Sequence, residues 1–286
     1  MIREPEDPPP LHPGLGSEQA FGRIVLPLTA EIDTQLAAVF ASDDPAGPHK
    51  CRVALRRLTT VIDAFTPVLD KAMAAGFRRD AKAIFRLLGH QRDADVYLAG
   101  LADTRHARKV QAKTDAARDA LRADLRRLRA VGLAPRLQQA IETGEIFRST
   151  PKGMARRAVP VELHAARVLG KAWQLCLDHG KTLARMRGHA QHEFRKDMKT
   201  VRYLAEFFAP LWPDGGQERF LDRMQELQNA LGHLNDLRNA RARGRKLSVE
   251  AERQAAEALA EAQSGWTALR DAPLWWPQDA DGSPSV

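Results

Sequence analysis

An all-α fold is what this sequence predicts, and three observations carry that expectation. Apolar side chains recur at three- and four-residue spacing through almost the whole chain. Runs that alternate apolar and polar residues, rich in β-branched and aromatic types, are missing. Turn-forming clusters are short and break the periodic pattern at intervals that suit helices joined by tight connections, as in antiparallel bundles.

Taken in order, residues 1–16 read as a Pro-rich, flexible lead-in, and helical periodicity starts at Ser17. Breaks are expected at DDPAGP (Asp43 to Pro48), near Gly76, at LGHQRD (Leu88 to Asp93) and at VGLAP (Val131 to Pro135). Further breaks are expected at STPKG (Ser149 to Gly153), at WPDGG (Trp212 to Gly216) and at LGHLND (Leu231 to Asp236). The helical domain then spans 17–270, and 271–286 form a tail ending in the polar stretch PQDADGSPSV. Within that tail PLWWP, Pro273 to Pro277, is expected to dock on its own domain, because an exposed Trp pair would be a sticky patch.

The chain has 286 residues and 44% hydrophobic content, enough for a buried core. Lys and Arg number 44 against 36 acidic residues, a formal charge of +8, which favours polyanionic partners. Charge alone does not choose among nucleic acid, anionic lipid and phosphate. Cys51 and Cys176 stand far apart with no CxxC or Cys/His spacing, so neither a disulfide framework nor a zinc site is indicated. The acidic, Pro-rich N-terminus lacks the features of a signal peptide, and no later run is taken to approach a membrane span. A soluble, cytoplasmic protein with no cofactor and no membrane partner is the expectation.

An internal repeat organises the chain. HEFRKDMKTVRYLAEFF, from His192, aligns with HKCRVALRRLTTVIDAF, from His49, pairing His49 with His192, Arg52 with Arg195, Arg56 with Lys199, Asp63 with Glu206 and Phe65 with Phe208. LGHLND aligns with LGHQRD, pairing Gly89 with Gly232, and each pair in both motifs is 143 positions apart. Two motifs at one offset argue for duplication. They predict two four-helix-bundle-like repeats, about 17–148 and 155–270, related by a pseudo-twofold axis.

Placed on a helix, the first motif separates into two faces. His49, Arg52, Arg56, Thr59 and Asp63 fall within an arc of roughly 80°, and Leu55, Leu58, Ile62, Phe65 and Leu69 gather on another side. The second motif likewise puts His192, Arg195, Lys199, Arg202 and Glu206 on a ridge, with Phe194, Met198, Val201, Leu204 and Phe208 towards the core. A solvated face tolerates any polar residue, so recurrence of the same charge at the same spacing points to a ligand. From residue 49 to 56 the helix rises about 10 Å, a line of cations that matches a linear polyanion better than a point charge. Asp63 and Glu206 at the ridge ends are placed either to anchor arginines or to form ordinary surface ion pairs.

These four motifs, in this order, resemble the two halves of the CHAD domain, the conserved histidine α-helical domain, over roughly Ser17 to Arg270. The resemblance implies two helical repeats whose basic groove binds inorganic polyphosphate, often at polyphosphate granules. It passes phosphate-contacting roles to His49, Arg52, Arg56, Arg57, His192, Arg195, Lys199 and Arg202, with Lys82 and Arg92 as weaker candidates. The sequence departs from the family pattern at Thr59, where an Arg is usual and where the second half has Arg202. Gln225 and Asn235 stand in the second half where the first has Lys82 and Arg92, and the basic run RNARARGRK, Arg238 to Lys246, is placed to extend the groove.

Two rival readings stay open. A phosphate-processing enzyme would need a phosphate loop, a metal-binding carboxylate cluster or an activated nucleophile, and no such motif stands out. RDAD, Arg92 to Asp95, comes nearest to an acidic site, but reads better as a turn with a cap or an ion pair. A nucleic-acid binder would use the same cations, with other polyanions also open as partners, but single-strand recognition adds stacking aromatics. Aromatics are 6% of this chain and the ridges hold none.

Overall fold

The computed structural model describes residues 10–101, 105–186, 188–213, 216–242 and 249–278, with the side chains at 236 and 238–242 outside that description. The side chains of the basic run from Arg238 to Lys246 therefore lie outside the described residues. Among those described, the chain forms α-helices and three short 3-10 turns; pairing of the β type is limited to isolated bridges, Gly16 with Pro160 and Leu69 with Phe147. The fold is all-α, as the periodicity predicts.

Two compact units are present. The first, Leu15–Pro160, holds α1 (Ser17–Ala41), α2 (Ala46–Ala64), α3 (Lys71–Ala99), α4 (Arg105–Arg127) and two shorter helices, α5 (Leu133–Glu142) and α6 (Pro151–Arg157). The second, Val161–Val286 together with Leu11–Gly14, holds α7 (Val161–Asp178), α8 (Gly188–Phe208), α9 (Gln217–Ala242) and α10 (Val249–Asp271). Leu11 and Leu15 are buried, and the Gly14 amide donates to the Glu162 carboxylate at 2.9 Å.

In the first unit α1 offers Phe21, Val25, Leu28, Ile32, Leu36 and Val39 on one stripe, and α2 answers with Cys51, Leu55, Leu58 and Ile62. Their three- and four-residue spacing is what lets each stripe face its neighbour. Among the described residues α1 is the one helix long and apolar enough to cross a membrane by length and composition, which corrects the expectation that no run approaches that length. Its stripe is instead consumed inside the unit, since Phe21, Val25 and Ile32 are fully buried there.

Helix α3 starts where the Asp70 carboxylate accepts from the amides of Ala72 and Met73, both at 2.9 Å. It then runs unbroken to Ala99, so the breaks expected near Gly76 and at LGHQRD do not occur, and α9 likewise runs through LGHLND. A glycine inside a helix costs only about 1 kcal/mol relative to alanine. Burying Phe77, Ile84 and Leu88 on one stripe returns roughly 1.5–3 kcal/mol for each side chain, so the helix continues. Farther along, Asp95 Oδ1 accepts from Gln91 Nε2 at 2.8 Å and from Arg118 Nη2 of α4 at 2.9 Å. RDAD is thus helical, and its second carboxylate belongs to a buried ion pair, with side-chain exposures of 7% for Arg118 and 4% for Asp95.

The second unit fills its core with rings. Trp266 packs edge-on against Phe194, centroids 4.9 Å apart, and against Trp173 at 5.6 Å, while its Nε1 donates to the Gly180 carbonyl. Trp275 and Trp276 close this cluster against Phe220 and are buried, so PLWWP does dock on its own unit.

Candidate functional site

Each of the two motif helices presents its cations on the face turned away from its apolar stripe. On α2 the residues Leu55, Leu58 and Ile62 are buried, followed by Phe65 and Leu69 just beyond the helix, while Arg52 and Arg56 are half-buried and His49 is exposed in the first turn. On α8 Phe194, Met198, Val201, Leu204 and Phe208 are buried, His192 is exposed, and Arg195, Lys199 and Arg202 are half-buried.

Packing of α2 on α3 brings the sequence-predicted cations of the first unit together. Arg52 lies close enough to Arg56 and Arg92 that burial first, then these like charges, lower its affinity for its proton, with Asp93 working against them. A guanidinium stays ionised through such a shift, so the consequence is a crowded positive cluster. Arg52 Nη1 donates to the Phe85 carbonyl at 2.7 Å, and its Cζ sits 3.9 Å from the Phe85 ring centroid. Arg56 Cζ lies 5.0 Å from the same centroid, so one ring serves two guanidinium groups.

Asp63 pairs with Arg78 of α3 at 3.0 Å, both side chains nearly half exposed, and lies near Lys82, so its arginine stands on the neighbouring helix and not on the ridge. Burial nonetheless raises its pKa above the usual carboxylate range against both cations. Lys82 and Arg92 are therefore carried into the first cluster by α3. Arg57, half-buried, is turned about 100° round α2 from Arg56 and sits off the ridge line. Thr59 occupies the place of an arginine and hydrogen-bonds back to the Arg56 carbonyl at 2.9 Å.

The second ridge is wired differently. Arg202 is paired with Glu206 at 3.3 Å, donates to Gln225 Oε1 of α9, and lies over the Tyr203 ring at 5.4 Å. Gln225 passes the chain on to Asn229 at 2.7 Å. Lys196 binds Glu193 at 2.8 Å, and that bond, with His189 and His192 nearby, holds the Glu193 carboxyl below its usual range. Asn235, the counterpart of Arg92, is half-buried on α9.

One contact is repeated in both units. A Cβ added to Gly89 would stand 2.2 Å from Arg52 Nη1, and one added to Gly232 would stand 3.6 Å from Arg195 Nη2. Arginine and glycine of the two motifs are thus neighbours in space in each unit, at the same 143-residue offset that links them in sequence. Phe85 and Asp93 are the members of the first cluster that projection of the ridge helix misses. They come from α3, and only the spacing of Phe85 four positions before Gly89 hints at the shared turn.

Burial, with Glu31 and Asp33 adding to it, pushes the Cys51 thiol up to about 12, and burial with Asp197 raises Cys176 as well, so neither is a ready thiolate. Among the described residues no three His, Cys, Asp or Glu side chains converge as a metal site.

Comparison with known proteins gives a consistent picture. A model of the CHAD domain matches residues 23–245. The crystal structure of the CHAD domain from the plant Ricinus communis aligns with a TM-score of 0.69 at 22% identity, covering 93% of this chain and 97% of that one. PptA from Streptomyces chartreusis aligns with a TM-score of 0.54 at 15% identity, covering 90% of this chain and 98% of that one. At these identities the likeness is one of fold. No curated protein sequence matches this chain.

Proposed function

The chain belongs to the CHAD domain family, and from that premise we propose that it binds inorganic polyphosphate on its two basic ridges without altering it chemically. The observation that carries this reading is the repetition of the ridge itself. The same spacing of the first three basic positions and the same apolar backing occur on α2 and on α8, and in each unit the motif arginine lies beside the motif glycine, tightly at Gly89 and loosely at Gly232.

Guanidinium forks grip phosphate oxygens in pairs, and Lys199 adds a mobile point charge. A chain of phosphates has one negative charge after another, so it can follow a helical ridge of cations along its rise. Binding then relieves repulsion within the cluster around Arg52 and releases counterions from the ligand, so affinity falls steeply with salt. It grows with ligand length, because a longer chain occupies more cations at once. Association with polyphosphate granules in the cytoplasm follows from such binding.

A base-free ligand fits better than nucleic acid for a reason of geometry. The Phe85 ring beside the first ridge is already covered by Arg52 and approached by Arg56, and Tyr203 beside the second is buried, so neither offers an open face to a base. Replacing Arg52→Ala together with Arg195→Ala tests the proposal. Polyphosphate affinity is expected to fall at least tenfold, by loss of charge-assisted hydrogen bonds, with the helical circular dichroism and melting nearly intact. Unchanged affinity in the double variant would contradict it.

A further inference from the structure

Resting on the polyphosphate reading, we propose that Gly89 and Phe85 are positioning residues that hold the Arg52 guanidinium ready to receive a phosphate, an arrangement that Gly232 and Gln228 do not repeat at Arg195. In an α-helix the oxygen of residue 85 accepts from the amide of residue 89, and the side chain of residue 89 normally crowds that oxygen from outside. Here residue 89 is glycine, and Arg52 Nη1 reaches the Phe85 oxygen at 2.7 Å. A methyl group at position 89 would lie 2.2 Å from that nitrogen, so an alanine there pushes the guanidinium off its present position.

The Phe85 ring supplies the second restraint. With Cζ 3.9 Å from the ring centroid, the guanidinium is held from one side by π-electrons and fixed at one end by the carbonyl. The Asp93 carboxylate, exposed on α3, acts on the guanidinium from outside this pair of restraints, and neither restraint carries a formal charge, so the two orient the cation without neutralising it. That is what preorganisation for an anion requires: the entropy of freezing a long side chain is lost at folding and no longer at binding. Glycine is a poor choice for a helix interior on propensity alone, and Gly89 is buried within the 29-residue α3.

The second unit shows the contrast. Gly232 would place its added Cβ 3.6 Å from Arg195 Nη2, an ordinary contact that an alanine tolerates. The residue matching Phe85 by the 143-residue offset is Gln228, whose Nε2 donates to the Met198 carbonyl at 3.1 Å, so no ring is offered there. Gly76, also in α3, has nothing within 4 Å of an added Cβ and serves as an internal control for helix propensity.

The test compares Gly89→Ala, Gly232→Ala and Gly76→Ala by titration with long-chain inorganic polyphosphate at fixed salt, by thermal melting, and by the ¹⁵N-edited NMR signal of the Arg52 side chain, identified by its loss in Arg52→Lys. Gly89→Ala is expected to bind about tenfold more weakly, the loss of one charge-assisted contact, and to lose the ring-shifted, slowly rotating Arg52 signal. Gly232→Ala and Gly76→Ala should bind as the parent does. Phe85→Leu keeps the apolar volume and should weaken binding several-fold, and Phe85→Tyr, which keeps the ring face, should restore it. These two variants decide the matter should Gly89→Ala melt early. Gly89→Ala binding as tightly as Gly76→Ala, or an unchanged Arg52 signal, overturns the positioning role. A parent protein that binds no polyphosphate overturns the function itself, while the NMR signal still decides whether Gly89 and Phe85 fix Arg52.

Discussion

Helices α2 and α8 carry the same cationic ridge, yet α2 has a single carboxylate, Asp63, where α8 has three, Glu193, Asp197 and Glu206. The consequence is visible in the pairing. Arg202 is committed to Glu206 and Gln225, Lys196 to Glu193, and Asp197 meets His179 at 2.7 Å. On α2, Arg52 is oriented by a neutral carbonyl and a ring, and Asp63 turns away to Arg78 on α3. Identical spacing of cations therefore does not make identical anion sites: the partners decide how much charge is left to offer. Of these paired cations only Arg202 stands on the ridge, so it is the pair with Glu206 that takes a ridge cation of α8 out of play. The first ridge should dominate binding.

The largest effect expected from breaking this comparison concerns the helix behind the first ridge. Asp95→Ala leaves Arg118 buried without its closest carboxylate, and such losses cost about 3 kcal/mol. Urea denaturation should show that loss. The position 143 residues later is Arg238, so nothing in the sequence suggests the same bolt behind the second ridge. A loss below about 1 kcal/mol would mean that Asp115, 3.0 Å from Arg118, already suffices.

Salt dependence gives a finer contrast. Arg56→Gln should reduce the slope of log affinity against log salt by about 0.7–0.9, the share of one phosphate contact, while Arg202→Gln should reduce it by less than half of that. Equal reductions would erase the distinction between the ridges.

Asp63→Asn should have the smallest effect. Burial raises the folded pKa of this carboxyl, so the folded state holds its proton more tightly than the unfolded chain does. Its ionised form therefore subtracts from stability at neutral pH, and the subtraction fades as pH falls through the folded pKa. Asparagine should change stability at neutral pH by no more than about 0.5 kcal/mol and flatten its pH dependence in the acid range. Removing the one carboxylate of the ridge should also tighten polyphosphate binding two- to threefold, on the order of a single screened charge.

Much of this was readable beforehand, and the failures have a common cause. The stripes Leu55, Leu58, Ile62 and Phe194, Met198, Val201 are buried as their periodicity requires, because a period of 3.6 is a property of one helix alone. The breaks assigned to Gly76, LGHQRD and LGHLND failed because local propensity is a small cost against a long buried stripe. Phe85 escaped notice for a related reason: it reaches the ridge from a neighbouring helix, and a projection of α2 contains no information about α3. The repeated Gly89 suggests a turn in the sequence alone, whereas its neighbour Arg52 explains its presence inside a helix.

The most direct measurement is a competition titration at physiological salt, comparing long-chain polyphosphate, single-stranded RNA and triphosphate at equal phosphate concentration. Cationic ridges without open stacking faces predict tight binding that prefers the long, base-free chain over both competitors. RNA binding equal to or tighter than polyphosphate, or no binding to any of the three, would contradict the account.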